Sequence, residues 1–356
     1  MFDTISDPAL RLAAQVGLTA LALTLAMTLM VIAMRVRDLH RTRRQHRTRA
    51  RWRPVLVRAA IGEAATAPRL LRHERMPLLL LWIQMQESLR GEAHERLNRL
   101  GDRLGLYALA RRLERSHQVA SRVLGHATLG HFAHAGDWQQ LDAGMQELHN
   151  PASLAAARAL LRIDASSAAP RVLDRYLLHS DWPAPRVGTL LRDTPHEAIG
   201  ASYAKRLFDG SLYEQLRLLP LLRFAEVPNI DSLLDRLVHT SREPQVLAIA
   251  LRQLQGPAAL ADVRRLSAHG DPLVRSAAAQ ALGRIGTADD QNRLMDLLVD
   301  GNWWVRYRAA QALVGMPGVE ADDMVQLRRL ITDRYARDML DQVLAERSLA
   351  AQGLAA

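Results

Sequence analysis

The chain of 356 residues is 49% apolar and only 4% aromatic, with Leu, Ala, Arg and Glu dominant; it can bury a sizeable core and is composed for packed helices rather than sheets, so an all-α fold is expected. It has no Cys, which excludes disulfides, thiolate zinc sites and cysteine nucleophiles. Of the net charge of +10, residues 1–34 carry −1, residues 35–58 carry +9 and the rest only +2, so the bulk of the chain lacks the basic footprint of nucleic-acid binding, and nucleic acid is disfavoured as a partner.

In chain order, residues 1–11 form a short N-terminus, and residues 12–34 read LAAQVGLTALALTLAMTLMVIAM without a charge. That run matches the roughly 20 apolar residues with which a helix crosses a bilayer, so a single transmembrane helix is expected over 12–34. It exceeds the roughly 7–15 residue core of a signal peptide and has no basic leader before it. An Arg-rich juxtamembrane segment follows over 35–58, with Arg35, Arg37, Arg41, Arg43, Arg44, Arg47, Arg49, Arg51 and Arg53 against Arg11 alone upstream. Cations resist translocation, so the expected arrangement is a single-pass protein of a bacterial inner membrane, its N-terminus outside and its body cytoplasmic. The same arginines can attract anionic lipid. A polar helix is expected to leave the membrane over 38–53 and to be interrupted at Pro54.

Residues 59–135 read as a helical cap or degenerate repeats. The run LLLLWI at 78–83 is too short to span a membrane and is assigned to the core. His126, His131, His134 and Asp137 are the densest group of metal-ligand types. Only His131 and His134 share a helical face, and no second pair matches them; they are read as surface or cap residues, and no metal or other cofactor is expected.

Residues 136–320 repeat. Pro151, Pro183, Pro244, Pro272 and then Trp303 are separated by 32, 61, 28 and 31 residues, a period of about 30 that fits two antiparallel helices and two short turns. The double gap places an unmarked helix start near Ser211 and Leu212. Asn150 and Asp271, each before a Pro, have the character of N-caps. Residues 230–237, 259–266 and 289–298 carry apolar side chains at helical spacing and read as the partner helices. The best matched copies are VRSAAAQAL at 274–282 and VRYRAAQAL at 305–313, identical at seven of nine positions. Residues 321–356 would close the array with capping helices.

On Asp271, Pro272, Val274, Arg275, Ala278, Ala279, Leu282 and Gly283, and again on Asn302, Val305, Arg306, Ala309, Ala310 and Leu313, the segment resembles the HEAT repeats, in the short-period variety similar to phycobilisome-lyase-type repeats. The second copy departs from the pattern with Asn302 in place of Asp and Val314 in place of Gly. The resemblance implies an α-solenoid of HEAT-like helical hairpins. It also implies a structural ladder in which Asp271, Arg275, Asn302 and Arg306 tie adjacent repeats by hydrogen bonds.

A solenoid offers an extended concave surface to a protein partner. Exposed positions on its lining helices, Gln280, Arg284, Tyr307 and Gln311, are candidate contacts, and Trp303 and Trp304 with Tyr307 and Arg308 add the aromatic and Arg content of binding hot spots. No Walker loop, dinucleotide fingerprint, GxSxG elbow, HExxH or EF-hand is present. No catalytic residue is assigned, and a membrane-anchored scaffold or adaptor is expected rather than an enzyme. An inner-membrane envelope-polysaccharide or secretion complex is the client its location suggests. The alternatives are a bilin-lyase-like enzyme, which the repeat period resembles, and a nucleic-acid-binding helical-repeat protein.

Overall fold

A computed structural model describes residues 8–63, 66–148, 150–225, 229–316 and 321–353. Among these, the secondary structure is entirely helical. The chain divides into two compact units, Met1–His134 and Ala135–Ala356.

The first unit holds α1 (Pro8–Ile61), α2 (Arg75–Ser88), α3 (Glu92–Arg103), α4 (Leu106–Glu114) and α5 (Val119–Phe132). The expected interruption at Pro54 does not occur: α1 runs through it. A proline inside a helix costs about 3 kcal/mol. Here Trp52, Leu56 and Ala60 are buried with Leu78, Leu79 and Trp82 in one core, and full burial of a large apolar side chain returns roughly 1.5–3 kcal/mol. Pro54 itself faces solvent, where water can satisfy the carbonyl that it leaves unpaired. The end of the Arg-rich segment is therefore part of a folded core rather than a free linker.

Earlier in α1, Leu18, Leu21, Leu23, Leu25, Leu29 and Ile32 are all exposed. Residues 1–7 lie outside the described residues, as do the side chains of 8–17 and 20 in the expected span and those of Arg41 and Arg44 in the Arg-rich segment. Among the described residues no helix is long and apolar enough to cross a membrane.

The rest of the first unit is built around Trp82. Its indole N–H donates to the Leu97 carbonyl at 3.0 Å, its ring stacks on Phe132 at 5.0 Å, and His131 meets it edge-on at 5.7 Å. His131 and His126 are buried, so they are not surface residues, whereas His134 is exposed; an imidazole with polar contacts can still present its ring to an apolar core. Among the described residues no three His, Asp or Glu side chains converge on a metal-sized site.

The second unit holds α6 (Trp138–Met145), α7 (Asn150–Ile163), α8 (Ala165–Leu178), α9 (Ala184–Arg192), α10 (His196–Asp209), α11 (Leu212–Ala225), α12 (Ile230–Thr240), α13 (Pro244–Gln253), α14 (Leu260–Leu266), α15 (Pro272–Ile285), α16 (Gln291–Leu298), α17 (Trp303–Gly315), α18 (Ala321–Leu330) and α19 (Arg334–Gly353). Helix α11 starts at Leu212, where the double gap places an unmarked start, and it continues through Pro220. Helices α9, α11, α13, α15, α17 and α19 pack side by side in chain order, and α12, α14 and α16 each back onto the helix that follows them. That arrangement is an α-solenoid of stacked hairpins, whose core runs continuously along the stack because each repeat buries its apolar face on its neighbours.

Small residues set the spacing of the packed row. Ala277, Ala278, Ala279 and Ala281 in α15 and Ala309, Ala310 and Ala312 in α17 are buried. At Gly283 an added Cβ would lie 2.7 Å from the Cα of Ala312, which no real contact tolerates. Asp–Arg pairs link successive repeats on the other row: Arg171 in α8 with Asp142 in α6 at 2.8 Å, Arg206 in α10 with Asp174 in α8 at 2.5 Å, and Arg264 in α14 with Asp290 at 2.7 Å.

Candidate functional site

The four residues assigned to an inter-repeat ladder divide into two roles. Asp271 and Asn302 are N-caps: their side-chain oxygens accept from the Leu273 and Trp304 backbone N–H groups at 2.8 and 2.9 Å. Among the described hydrogen bonds neither side chain reaches the neighbouring repeat, so these two act as caps rather than as rungs of the ladder. Arg275 does cross. Its Nε and Nη2 donate to the two carboxylate oxygens of Asp300 at 2.7 and 2.9 Å, while Nη1 donates back to the His269 and Gly270 carbonyls at 2.9 Å. Arg306 donates to the Asp300 carbonyl at 2.8 Å and does not leave its own repeat in this bond.

Asp300, which the sequence reading did not single out, is the hub. It also accepts from the Asn302 N–H at 2.8 Å. Burial pushes its carboxyl up, but the Arg275 hydrogen bonds, the Asn302 N–H and the Arg275 and Arg306 charges outweigh that and hold it below the ordinary value. Its signal in the sequence was its place two residues before an N-cap, in the turn that faces the preceding Arg.

The candidate contact residues fall into two groups. Trp303 and Trp304 are 43% and 58% exposed, so neither is packed between repeats. Trp303 stacks on Tyr307 at 5.2 Å, and Trp304 meets Trp303 edge-on at 4.8 Å. The Tyr307 hydroxyl is engaged in a 2.8 Å hydrogen bond to Glu346 in α19, so this aromatic cluster is braced from the neighbouring helix.

Gln280, Arg284, Arg308 and Gln311 come together as the lining of one open groove of about 430 Å³, with Arg252, Gly283, Ala312 and Gly315 completing it. The cause is register. Aligning the packed helices on Leu254, Leu282 and Leu313 puts Arg252, Gln280 and Gln311 at equivalent positions in α13, α15 and α17. Arg284 lies one turn after Gln280 and Arg308 one turn before Gln311, on the same helical faces. Arg252 was missed because a single repeat considered alone does not distinguish it; the repeat alignment would have found it.

Within the groove Arg308 donates to Gln311 Oε1 at 2.7 Å, and with the Gln280 amide turned to present its oxygen, Arg308 also reaches it from Nη1 and Nε at 3.1 and 2.9 Å. Arg284 donates to the Leu251 carbonyl at 2.7 Å and to that of Gln280 at 3.2 Å. Every one of these acceptors is neutral, and among the described residues none that lines the groove is acidic. Burial, and then the Arg308 charge, lower the pKa of Arg252; burial alone lowers that of Arg284. The groove is a concentration of positive charge with no carboxylate in its described lining, whereas Arg171, Arg175, Arg206, Arg264, Arg275 and Arg328 of the same unit each meet an Asp.

Residues 230–314, which span α12 and nearly all of α17, match the family described as HEAT repeats. No curated protein matches the chain. The segment that carries the groove is thus made of HEAT repeats, and the expected α-solenoid architecture holds for the second unit.

Proposed function

We propose that this chain is a scaffold held at a bacterial inner membrane by residues 12–34, with its HEAT repeats in the cytoplasm as the binding surface for a protein partner. One observation carries the reading: three consecutive repeats place Arg252, Gln280, Arg284, Arg308 and Gln311 on a common open groove. The exposed Trp303 and Trp304 lie on the last of these helices. HEAT repeats commonly serve as extended protein-binding surfaces. The anchor is supported by the uncharged run at 12–34 and by the apolar side chains exposed along α1 from Leu18 to Met34, which water solvates poorly and lipid solvates well. The arginines after it set the orientation and favour an anionic leaflet.

The absence of Cys makes the topology directly testable. Ser6→Cys and Ser348→Cys variants of the full chain are exposed to a membrane-impermeant maleimide in intact spheroplasts and after lysis. The reading requires labelling at position 6 in both cases and at position 348 only after lysis; equal labelling of both in spheroplasts, or recovery of the chain in the soluble fraction, removes the anchor. Capture of a partner from detergent-solubilised membranes by the wild-type chain, lost on Trp304→Ala together with Gln311→Ala, tests the binding surface. Undiminished capture by that variant would remove this face from the interface.

A further inference from the structure

The groove lined by α13, α15 and α17 has a chemistry more specific than a general docking face. It brings three guanidinium groups, Arg252, Arg284 and Arg308, to one open cavity of about 430 Å³. Arg284 and Arg308 are held by backbone carbonyls and by the Gln280 and Gln311 amides, which orient them without neutralising them. Arg252 is exposed and has no hydrogen bond or ion pair described. Elsewhere in the same unit arginines meet carboxylates: Arg171, Arg175, Arg206, Arg264, Arg275 and Arg328 each have an Asp. In this groove three arginines converge with no acidic side chain among the lining residues described.

We propose that the Arg252–Arg284–Arg308 groove captures an acidic segment of the protein partner, with Asp or Glu side chains of that segment seated on the three guanidinium groups. The inference rests on the scaffold reading and names the chemistry of its partner. Arginine forks bind carboxylates in a bidentate manner, and such charge-assisted bonds are roughly twice as strong as neutral ones. Clusters of Arg are a recurrent means of recognising acidic motifs. A bound carboxylate also relieves the repulsion between Arg252 and Arg308, so the empty groove is electrostatically the less favourable state. An extended peptide fits the open, three-repeat geometry, and the Gln280 and Gln311 amides, at equivalent positions on successive repeats, are suited to hydrogen-bond its backbone. A nucleic-acid strand would need a longer basic track than three residues, and residues after 58 carry a net charge of only +2.

The test uses the full chain in detergent micelles and the peptide acetyl-hexaglutamate-amide as probe, with acetyl-hexaglutamine-amide and inorganic phosphate at matched ionic strength as comparisons. Hydrogen exchange read by mass spectrometry reports α13, α15 and α17 separately from the Arg-rich segment at 35–58, which will attract the same probe. The expected result is slowed exchange in those three helices with hexaglutamate only, fading as salt rises. In Arg252→Gln and in Arg252→Gln with Arg308→Gln, the half-saturating concentration should rise about tenfold for each arginine removed. Because Arg284 also braces the Leu251 carbonyl, Arg252→Glu is the variant that separates binding from folding: it should melt at or above the wild-type temperature, since repulsion by Arg308 becomes attraction, and yet lose the protection. Protection that survives in Arg252→Glu, protection by hexaglutamine, protection by phosphate in the absence of hexaglutamate protection, or no protection in these helices would each overturn the proposal. The two readings fail separately: partner capture that depends on Trp304 while hexaglutamate leaves α13, α15 and α17 unprotected would retain the scaffold and remove the acidic segment.

Discussion

Arg275, at the start of α15, grips both carboxylate oxygens of Asp300, which lies in the turn before α17, at 2.7 and 2.9 Å. Its third nitrogen closes the turn that precedes its own helix. One side chain thus fixes the start of one repeat and the spacing to the next. The two side chains are 20% and 10% exposed, so removal of either leaves a largely desolvated charge behind.

Arg275→Ala should therefore cost about 2–3 kcal/mol, between an exposed and a fully buried pair, and lower the melting temperature by roughly 5–10 °C. Asp300→Ala should cost a similar amount. The double variant should cost much less than the sum, because the second substitution removes a charge that the first has already orphaned. Additive losses in thermal melts of the three variants would mean that the contact contributes no coupling.

Acid should unfold the second unit through its paired aspartates. Hydrogen bonds from Arg175 hold Asp181 down, and those from Arg328 hold Asp341 down; at Asp290 and Asp300 burial pushes up, but the Arg264 and Arg275 contacts prevail. Groups with a depressed folded pKa contribute their full stability above the ordinary Asp value of 3.8 and lose it as pH falls through the depressed values. Stability measured by urea titration should be flat above about pH 5 and fall steeply below about pH 4. Asp235 has the opposite sign: burial, then the Asp231 and Asp262 charges, raise its pKa. Asp235→Asn should raise the melting temperature by roughly 1–3 °C at pH 7, and the gain should vanish near pH 3, where the wild-type carboxyl is already neutral. A gain that persists at pH 3 would show that charge is not its cause.

Gly283→Ala should separate α15 from α17, because the new methyl would meet the Ala312 Cα and Cβ at 2.7 Å and backbone cannot yield as a flexible side chain can. Overpacking of this kind costs about 1–3 kcal/mol. Gly315→Ala, with nothing within 4 Å of the added Cβ, should leave the melting temperature within about 2 °C. Equal behaviour of the two variants in thermal melts would contradict the close helix approach.

Arg175 is the most deeply committed charge of the second unit. Its side chain is 0% exposed; it donates to the Met145 and Glu147 carbonyls, pairs with both Asp181 oxygens at 2.9 Å, and lies 5.0 Å from the centre of the Trp182 ring. Arg175→Ala should cost about 3–5 kcal/mol. Arg175→Lys should recover little of it, since an ammonium cannot reach three acceptors in a fork. Recovery by Lys of more than half the lost urea stability would show that charge alone suffices.

The sequence by itself determined the helical class, the repeat and its period of about 30, because punctuation by Pro, cap residues and apolar spacing acts over one or two turns and is written locally. It also gave Gln280, Arg284, Arg308 and Gln311 as surface positions, since the face of an amphipathic helix follows from its 3.6-residue period. Only the tertiary structure decided that these four meet Arg252 in one groove and that Asp300 receives Arg275. It also decided that α1 continues through Pro54 and that His126 and His131 are buried. Each of these depends on which neighbour lies across a helix pair, and on whether burial there outweighs a local penalty. Such balances are struck between residues on different helices, beyond the reach of any one helix's own sequence.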